Sequence, residues 1–381
     1  QLPPVKDKIS PALSEEYLKE HFEVTLTESE LKEVVRQKDG GGILKNAAKV
    51  RNSIIGKLFN EFKIEYGSGD VIKTDVGKFL DDYLNVTKEK ISDRTIVIAH
   101  SNKKTCDYNQ IIRSHFFPGK PELQKNEIVL ISQNNYNFYV PLMNGQFGKV
   151  VEVSPVKEFK TVSFKVKGGV ARRDYNFRDI ILEVRDENGT LQRISCKIID
   201  DFLYSEMPQL SLEEQIGLYI DFKQRNSHLR VGSEEFKDAL KKDVYFNALR
   251  LKFGYAVTCH KAQGGEWDNV FVDFDCAIGK NTESFYRWAY TAITRSREKL
   301  FLINSPSFSP MTTLKLDEKI GEAVIVEGED YSKKSDDVLV SVSPQPFLQS
   351  LFSALSVAVQ AQDIIISHVE HCKHMEKYFF I

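Results

Sequence analysis

Short apolar runs that are separated by helical patterns constrain the fold of this chain more than any other sequence feature. Ile96–Ala99, Asn269–Asp273 and Leu300–Ile303 are mostly apolar, as strands buried on both faces are. A helix pattern over residues 283–294 stands between the last two runs. Strands that alternate with helices are typical of an α/β domain with a parallel sheet. We therefore expect such a domain.

A second group of strand-like runs is concentrated between residues 126 and 200. The runs span residues 128–131, 148–153, 162–166 and 180–184. Turn signals separate them, notably Asn144-Gly145 and Asn188-Gly189. This pattern predicts a small all-β insert, a barrel of about five strands, that divides the α/β domain in two.

Local patterns elsewhere predict further elements. Apolar residues at spacings of three and four from Ile43 to Leu58 indicate one face of a helix. Ser211 and Glu214 have the spacing of a capping box, and Ser233 is a second N-cap candidate. Residues 22–26 are predicted to form a strand and residues 65–78 a loop. Residues 102–113 are predicted to form a loop that leads into a helix.

Composition limits the class of protein. The five cysteines are far apart and form no C-x-x-C pair, so we expect no metal site and a reducing cytoplasm. The net charge of −2 excludes a strongly basic nucleic-acid binder but leaves room for a local basic groove. No long apolar run predicts a membrane span. The chain starts without Met or a signal peptide, and we expect it to be part of a longer protein.

The most informative segment is 254–268, Gly-Tyr-Ala-Val-Thr-Cys-His-Lys-Ala-Gln-Gly-Gly-Glu-Trp-Asp. A strand ends at its threonine, and a glycine-containing turn with a following acidic residue comes next. Glycines let backbone N–H groups approach a phosphate or a sugar closely. Threonine, histidine and lysine at a strand end are suitable phosphate contacts. The alternative is a buried strand and a tight turn that bind no ligand.

This segment resembles motif V of superfamily 1 DNA helicases, in the form T-x-H-x-x-Q-G-x-E-[FW] of the RecD-like branch. The resemblance implies two sets of contacts. Those directed toward single-stranded DNA are Thr258, His260 and Lys261. Those directed toward the nucleotide are Gln263, Gly264 and Glu266, with Glu266 reaching the ribose.

A second segment, residues 290–297, resembles motif VI of the same helicases, which supplies an arginine finger. Arg295 would be that finger, and Arg297 is the competing candidate. A guanidinium at this place neutralises charge on the transferring phosphoryl group, an effect of roughly 10³–10⁵ in rate where it has been measured. The alternative is a solvated pair of arginines that closes a helix.

Three weaker resemblances extend the set. The start, Gln1-Leu2-Pro3-Pro4-Val5, resembles the tail of motif III, in which Gln1 would sense the γ-phosphate; a chance match is the alternative. Residues 31–37 resemble a V-x-R-Q segment, in which Arg36 would be a second γ-phosphate contact rather than an ordinary surface arginine. Asn102 and Lys103 follow a strand end, where ligands of α/β sheets bind, and would contact the DNA backbone unless they form an ordinary loop.

The resemblance also implies a domain layout. It consists of the end of a first RecA-like domain, a connecting segment, a second RecA-like domain in two pieces, an inserted SH3-like β domain, a linker and an unassigned C-terminal element. In that order, the expected bounds are 1–60, 61–92, 93–125 with 201–304, 126–200, 305–346 and 347–381.

The chain contains no G-x-x-x-x-G-K-[ST] loop, which would cradle the nucleotide phosphates and bind Mg²⁺. The resemblance therefore implies the C-terminal portion of an ATP-dependent DNA helicase or translocase, moving 5′→3′. ATP and Mg²⁺ would be bound mainly by a P-loop domain that this chain lacks, and the chain alone would be inactive. A non-catalytic module that binds nucleic acid or docks a partner is the alternative, and a scaffold without DNA affinity is a further one.

Overall fold

A computed structural model describes residues 2–3, 11, 14–22, 24, 26, 40–166 and 169–306, together with the backbone of 366–372 and 375–380. Contacts divide the chain into two units, Gln1–Leu316 and Asp317–Ile381. Within the second unit, two short strands form an antiparallel hairpin. Residues 307–346 of the predicted linker and residues 347–365 of the unassigned C-terminal element lie outside the described residues.

The described elements follow one another in this chain order. The helices are α1 (Glu15–Phe22), α2 (Gly42–Ile55), α3 (Phe79–Thr87), α4 (Asn102–Phe116), α5 (Leu212–Arg225), α6 (Glu234–Lys242) and α7 (Glu283–Ile293). The strands are β1 (Val71–Lys73), β2 (Thr95–Ala99), β3 (Ile128–Ile131), β4 (Phe147–Val166), β5 (Gly169–Arg185), β6 (Leu191–Ile199), β7 (Leu251–Phe253), β8 (Ala256–Thr258), β9 (Trp267–Asp273), β10 (Ser296–Ile303), β11 (Ile366–Cys372) and β12 (Met375–Phe380).

A parallel sheet lies at the centre of the first unit, with the strand order β1-β10-β9-β2-β8. Every pairing in it is parallel; Val97 of β2, for example, aligns with Phe271 of β9 and with Ala256 of β8. Val97 and Phe271 are fully buried, as their apolar runs predicted. The α/β fold class with a parallel sheet is confirmed by this pairing.

Three local predictions were wrong. The segment 65–78 is not all loop, because β1 lies within it and pairs with Leu300–Leu302 of β10; only two apolar residues, between polar and glycine neighbours, indicated the strand. Helix α4 begins directly at Asn102, where Ser101 caps it by accepting a hydrogen bond from the Lys104 N–H at 3.2 Å. Phe22 ends a helix rather than beginning a strand.

The insert is a five-stranded antiparallel sheet with the order β6-β5-β4-β3-β7. The two runs predicted at 148–153 and 162–166 are one continuous strand, β4, whose register shifts near residues 150–157. The sheet also takes β7 from outside the predicted 126–200 range. Because β6 and β7 are the two edges of this sheet, closure into an SH3-like barrel stays a prediction.

Helices α5 and α6 follow the insert, and both begin at the predicted caps. The Ser211 hydroxyl accepts a hydrogen bond from the Glu214 N–H at 3.2 Å, and the Glu214 carboxylate accepts one from the Ser211 N–H at 2.7 Å. Ser233 caps α6 through the Phe236 N–H. Leu218 of α5 is buried in a cluster with Phe164 and Phe177. This helix therefore packs on the β4–β5 hairpin. No helix in the described ranges combines the length and apolar composition needed to cross a membrane.

Candidate functional site

The predicted site residues are divided between the two ends of the parallel sheet. Thr258 ends β8 and aligns with Ala99, the last residue of β2. Thr258 therefore lies at the carboxyl edge of the sheet, and so does Asn102, which follows Ala99 by three residues. Trp267 begins β9 and aligns with Ser296, the first residue of β10. Glu266 and Arg295 directly precede these two residues and therefore lie at the amino edge.

A cavity at the carboxyl edge brings together three of the predicted DNA contacts. Asn102, Thr258 and Lys261 line it, together with Ser132 of the insert and Lys252 of β7. Lys103 is exposed on the first turn of α4. The structure thus gathers residues from α4, β8 and the inserted sheet around one opening.

Asn109 of α4 holds strand β8 in place. Its side-chain oxygen accepts hydrogen bonds from the Tyr255 N–H at 3.0 Å and the Ala256 N–H at 2.9 Å. Its amide nitrogen donates to the Ala256 carbonyl at 3.0 Å. Since β8 is an edge strand of the sheet, this buried side chain supplies bonds that a further strand would supply. The sequence contained no periodic signal for this role.

Four basic side chains at or near this edge have pKa values below their ordinary ones. Partial burial lowers the pKa of His260, and burial together with His260 lowers that of His100. Burial also lowers the pKa of Lys261, whose ammonium donates a hydrogen bond to the Asn144 side chain of the insert. Burial lowers the pKa of Lys252 to about 8. Each shift has the direction expected of a basic group that is partly removed from water, since burial disfavours its charged form.

Lys252 was missed by sequence reasoning. It is a lone lysine in an apolar strand, and its position in the cavity depends on how the insert folds back onto the α/β domain. Its ammonium donates to the carbonyls of Phe202 and Ser205 at 2.5 and 2.6 Å.

At the amino edge, Arg295 connects the end of α7 to the turn before β9. Its guanidinium donates to the Thr291 carbonyl at 2.9 Å and to the Gly265 carbonyl at 3.1 Å. Its own carbonyl accepts from the Trp267 N–H at 3.0 Å. The competing Arg297 is exposed, with its guanidinium 3.4 Å from the Glu266 carboxylate. Both candidate arginines therefore lie beside the same turn.

The turn itself has an open backbone. Gly264 has a φ of +85°, and a Cβ at this position would have nothing within 4 Å. The positive φ accounts for glycine here. Gln263, Gly264 and Glu266 line a groove at this edge that also includes Lys261. Lys261 thus borders both the groove and the carboxyl-edge cavity.

The exposed carboxylate of Glu266, the open glycine backbone and the nearby guanidiniums fit the hydroxyls of a ribose and the oxygens of a phosphate. Within the described part of the chain, no group of three or more His, Cys, Asp or Glu side chains is arranged to hold a metal ion. Gln1 and Arg36 lie outside the described residues, and their roles stay predictions.

Comparison with known proteins finds similarity to DNA helicases. Residues 253–303 match the family described as the UvrD-like helicase C-terminal domain. The chain is also 24% identical over 288 residues to the ATP-dependent DNA helicase dda of Enterobacteria phage T4, across 72% of this chain and 61% of the relative. The chain thus spans about three fifths of the length of that relative.

Solved structures of Pif1 helicases are also similar. The Bacteroides Pif1 bound to single-stranded DNA has 13% identity and a TM-score of 0.31, over 74% of this chain and 53% of that chain. The Candida albicans Pif1 has 14% identity and a TM-score of 0.29, over 74% and 58%. The family match and the relative confirm a superfamily 1 helicase C-terminal region, while the RecD-like branch stays a prediction.

Proposed function

We propose that this chain is the C-terminal portion of an ATP-dependent DNA helicase or translocase that moves 5′→3′. One observation carries the proposal. The segment 258–267 runs from the carboxyl edge of the sheet to its amino edge, and it links the residues suited to phosphate contacts with those suited to a nucleotide. A motor needs such a link, because its grip on the strand must change with the state of the nucleotide.

In this proposal each edge has its own ligand. Thr258, His260, Lys261, Asn102 and Lys103 bind the backbone of single-stranded DNA. The nucleotide is contacted by Arg295, Gln263, Gly264 and Glu266, and by Gln1 and Arg36. ATP supplies the free energy of the cycle, and a P-loop domain outside this chain binds its phosphates and Mg²⁺.

Under this proposal the chain alone does not hydrolyse ATP. Its sequence contains no P-loop motif, so nothing in it cradles the β-phosphate. We expect it to bind single-stranded DNA and to hydrolyse no ATP until it is joined to a P-loop domain. The T4 relative, which this chain matches over 61% of its length, is an ATP-dependent DNA helicase, and this supports the activity proposed for the longer protein.

The first test measures DNA binding by this chain. Fluorescence anisotropy with a labelled oligothymidine of about 16 nucleotides would be recorded between about 50 and 200 mM NaCl. Lys261→Ala should weaken binding and reduce the salt slope by about 0.7, the value for one phosphate contact on a single strand. The control is Lys237→Ala, a surface lysine of α6 that pairs with Glu234. It should leave both quantities unchanged.

The outcomes separate the alternatives. If the chain shows no salt-dependent binding, the DNA contacts are refuted and a scaffold without DNA affinity is favoured. If it binds, but the longer polypeptide with a P-loop domain hydrolyses no ATP, the chain is a non-catalytic binding module. DNA-stimulated hydrolysis by the longer polypeptide, together with the Lys261 effect, is the result we expect.

A further inference from the structure

The loop between β3 and β4, residues 132–146, meets the proposed DNA site at both of its ends. Ser132 lines the carboxyl-edge cavity beside Thr258. At the other end, Asn144 accepts a hydrogen bond from the ammonium of Lys261. A strand of DNA held by Thr258 and Lys261 therefore passes next to this loop.

The loop has a fixed conformation. Asn135 and Leu142 exchange two backbone hydrogen bonds, at 2.8 and 2.9 Å, that close its tip. The Asn135 side chain donates to the Asn247 carbonyl at 2.9 Å and accepts from the Asn137 N–H at 3.0 Å. Leu142, which belongs to this loop, is fully buried. A binding surface that is already ordered loses little conformational entropy when a ligand binds.

A tyrosine ring on this loop is connected to Lys261 and yet is open to solvent. The Asn144 N–H donates to the Asn134 side-chain oxygen at 2.7 Å, and the Asn134 amide donates to the Tyr136 hydroxyl at 3.0 Å. Tyr136 is 65% exposed. Hydrogen bonds thus connect an aromatic ring, through Asn134 and Asn144, to the lysine that is proposed to bind phosphate, without covering the ring.

We propose that Tyr136 is a stacking platform for one base of the single strand whose backbone contacts Lys261. The inference rests on the proposed function, since it takes single-stranded DNA as the ligand. Exposed aromatic rings beside a cationic groove are how proteins bind single strands without sequence preference, because every base has a π-face. The inserted sheet would then take part in DNA binding directly, through a residue outside the helicase motifs.

The experiment compares two oligomers of equal length, an oligothymidine and its abasic counterpart, which keeps the phosphates but has no bases. Wild type should bind oligothymidine more tightly than the abasic oligomer. Tyr136→Ala should lose about tenfold in affinity for oligothymidine and keep its affinity for the abasic oligomer. Tyr136→Phe retains the ring and loses only the hydrogen bond from Asn134, so it should keep most of the affinity for oligothymidine and all of the affinity for the abasic oligomer.

The same loop offers a matched control. Tyr139 is 70% exposed, but its hydroxyl donates to the Arg193 carbonyl on β6, and Tyr139 has no such link to Lys261 among the described contacts. Tyr139→Ala should bind both oligomers as wild type does. An equal loss in Tyr139→Ala would show that any exposed ring on the loop has this effect and would overturn the assignment to Tyr136.

Three other results would also overturn the inference. Unchanged binding of oligothymidine by Tyr136→Ala would show that the ring is not used. Equal losses on both oligomers would show that it only supports the loop, and a loss in Tyr136→Phe as large as that in Tyr136→Ala would assign the effect to the hydroxyl. In each of these cases wild type binds DNA and the proposed function stands. If wild type binds neither oligomer, the proposed function fails and this inference fails with it.

Discussion

Replacing Asn109 by alanine should destabilise the protein by about 3–5 kcal/mol. The side chain is 6% exposed and makes three hydrogen bonds to the backbone of Tyr255 and Ala256. At about 1 kcal/mol each, their loss costs about 3 kcal/mol. The two N–H groups belong to residues that are almost fully buried, so leaving them unpaired adds further desolvation cost. The total is a large fraction of an ordinary domain's stability.

Urea unfolding, followed by circular dichroism, measures this loss at an unchanged m-value. Asn109→Asp keeps the acceptor for both N–H groups and should recover part of it, although a buried carboxylate facing the Ala256 carbonyl prevents full recovery. Gln110→Ala, at the exposed neighbouring position on α4, should change stability by less than about 0.5 kcal/mol. A loss below about 1 kcal/mol in Asn109→Ala would refute the idea that this side chain replaces a missing strand.

Two further predictions concern the two edges of the sheet. In the longer polypeptide with a P-loop domain, Arg295→Ala should reduce DNA-stimulated ATP hydrolysis by about a hundredfold or more, measured as phosphate release; if Arg297→Ala gives the larger loss, the finger is Arg297. Because burial lowers the folded-state pKa of Lys252 to about 8 from 10.5, the unfolded chain binds more protons between these values, and the free energy of unfolding should rise by about 2 kcal/mol between pH 7.5 and 9.5 relative to Lys252→Met. Urea unfolding at pH 7.5 and 9.5 checks this, and equal pH responses of the two proteins would contradict it.

The parallel sheet could be predicted because its central strands are continuous apolar runs in the sequence. A strand that has a neighbouring strand on each side and is covered on both faces is apolar along its whole length, as Ile96–Ala99 and Leu300–Ile303 are. The caps of α5 and α6 were equally predictable, since the Ser211–Glu214 and Ser233–Phe236 contacts are local. Local chemistry and continuous burial both leave marks that a single sequence retains.

Elements that depend on distant partners could not be predicted. Strand β1 is short and owes its position to β10, more than 220 residues away along the chain. Strand β7 belongs to the inserted sheet because it pairs with β3. The sequence Leu251-Lys252-Phe253 alone does not indicate which sheet the strand joins. The single strand β4 was divided in two because polar residues near Lys157 resemble a turn. In the structure they lie where its register shifts.

The motif residues were identified from the sequence, but their separation into two edges was not. Thr258 and Glu266 are eight positions apart, and their spacing alone does not show that the chain reverses along the length of the sheet between them. The strand register does show it, since Thr258 aligns with the end of β2 and Trp267 with the start of β10. Arg295 holds the Gly265 carbonyl at one end of this segment, while Asn109 holds β8 at the other.

The segment between those two anchors is therefore where the proposed motor would couple its ligands. β8 is fixed to α4, and the turn is fixed to the end of α7, so under the proposed function a shift of Arg295 with the nucleotide would act on the connecting residues 259–264. Lys261 lies within this stretch and borders both the groove and the cavity. Under the proposed function, a movement that starts at the amino edge and spreads along this segment would therefore move Lys261, the residue that contacts the DNA backbone.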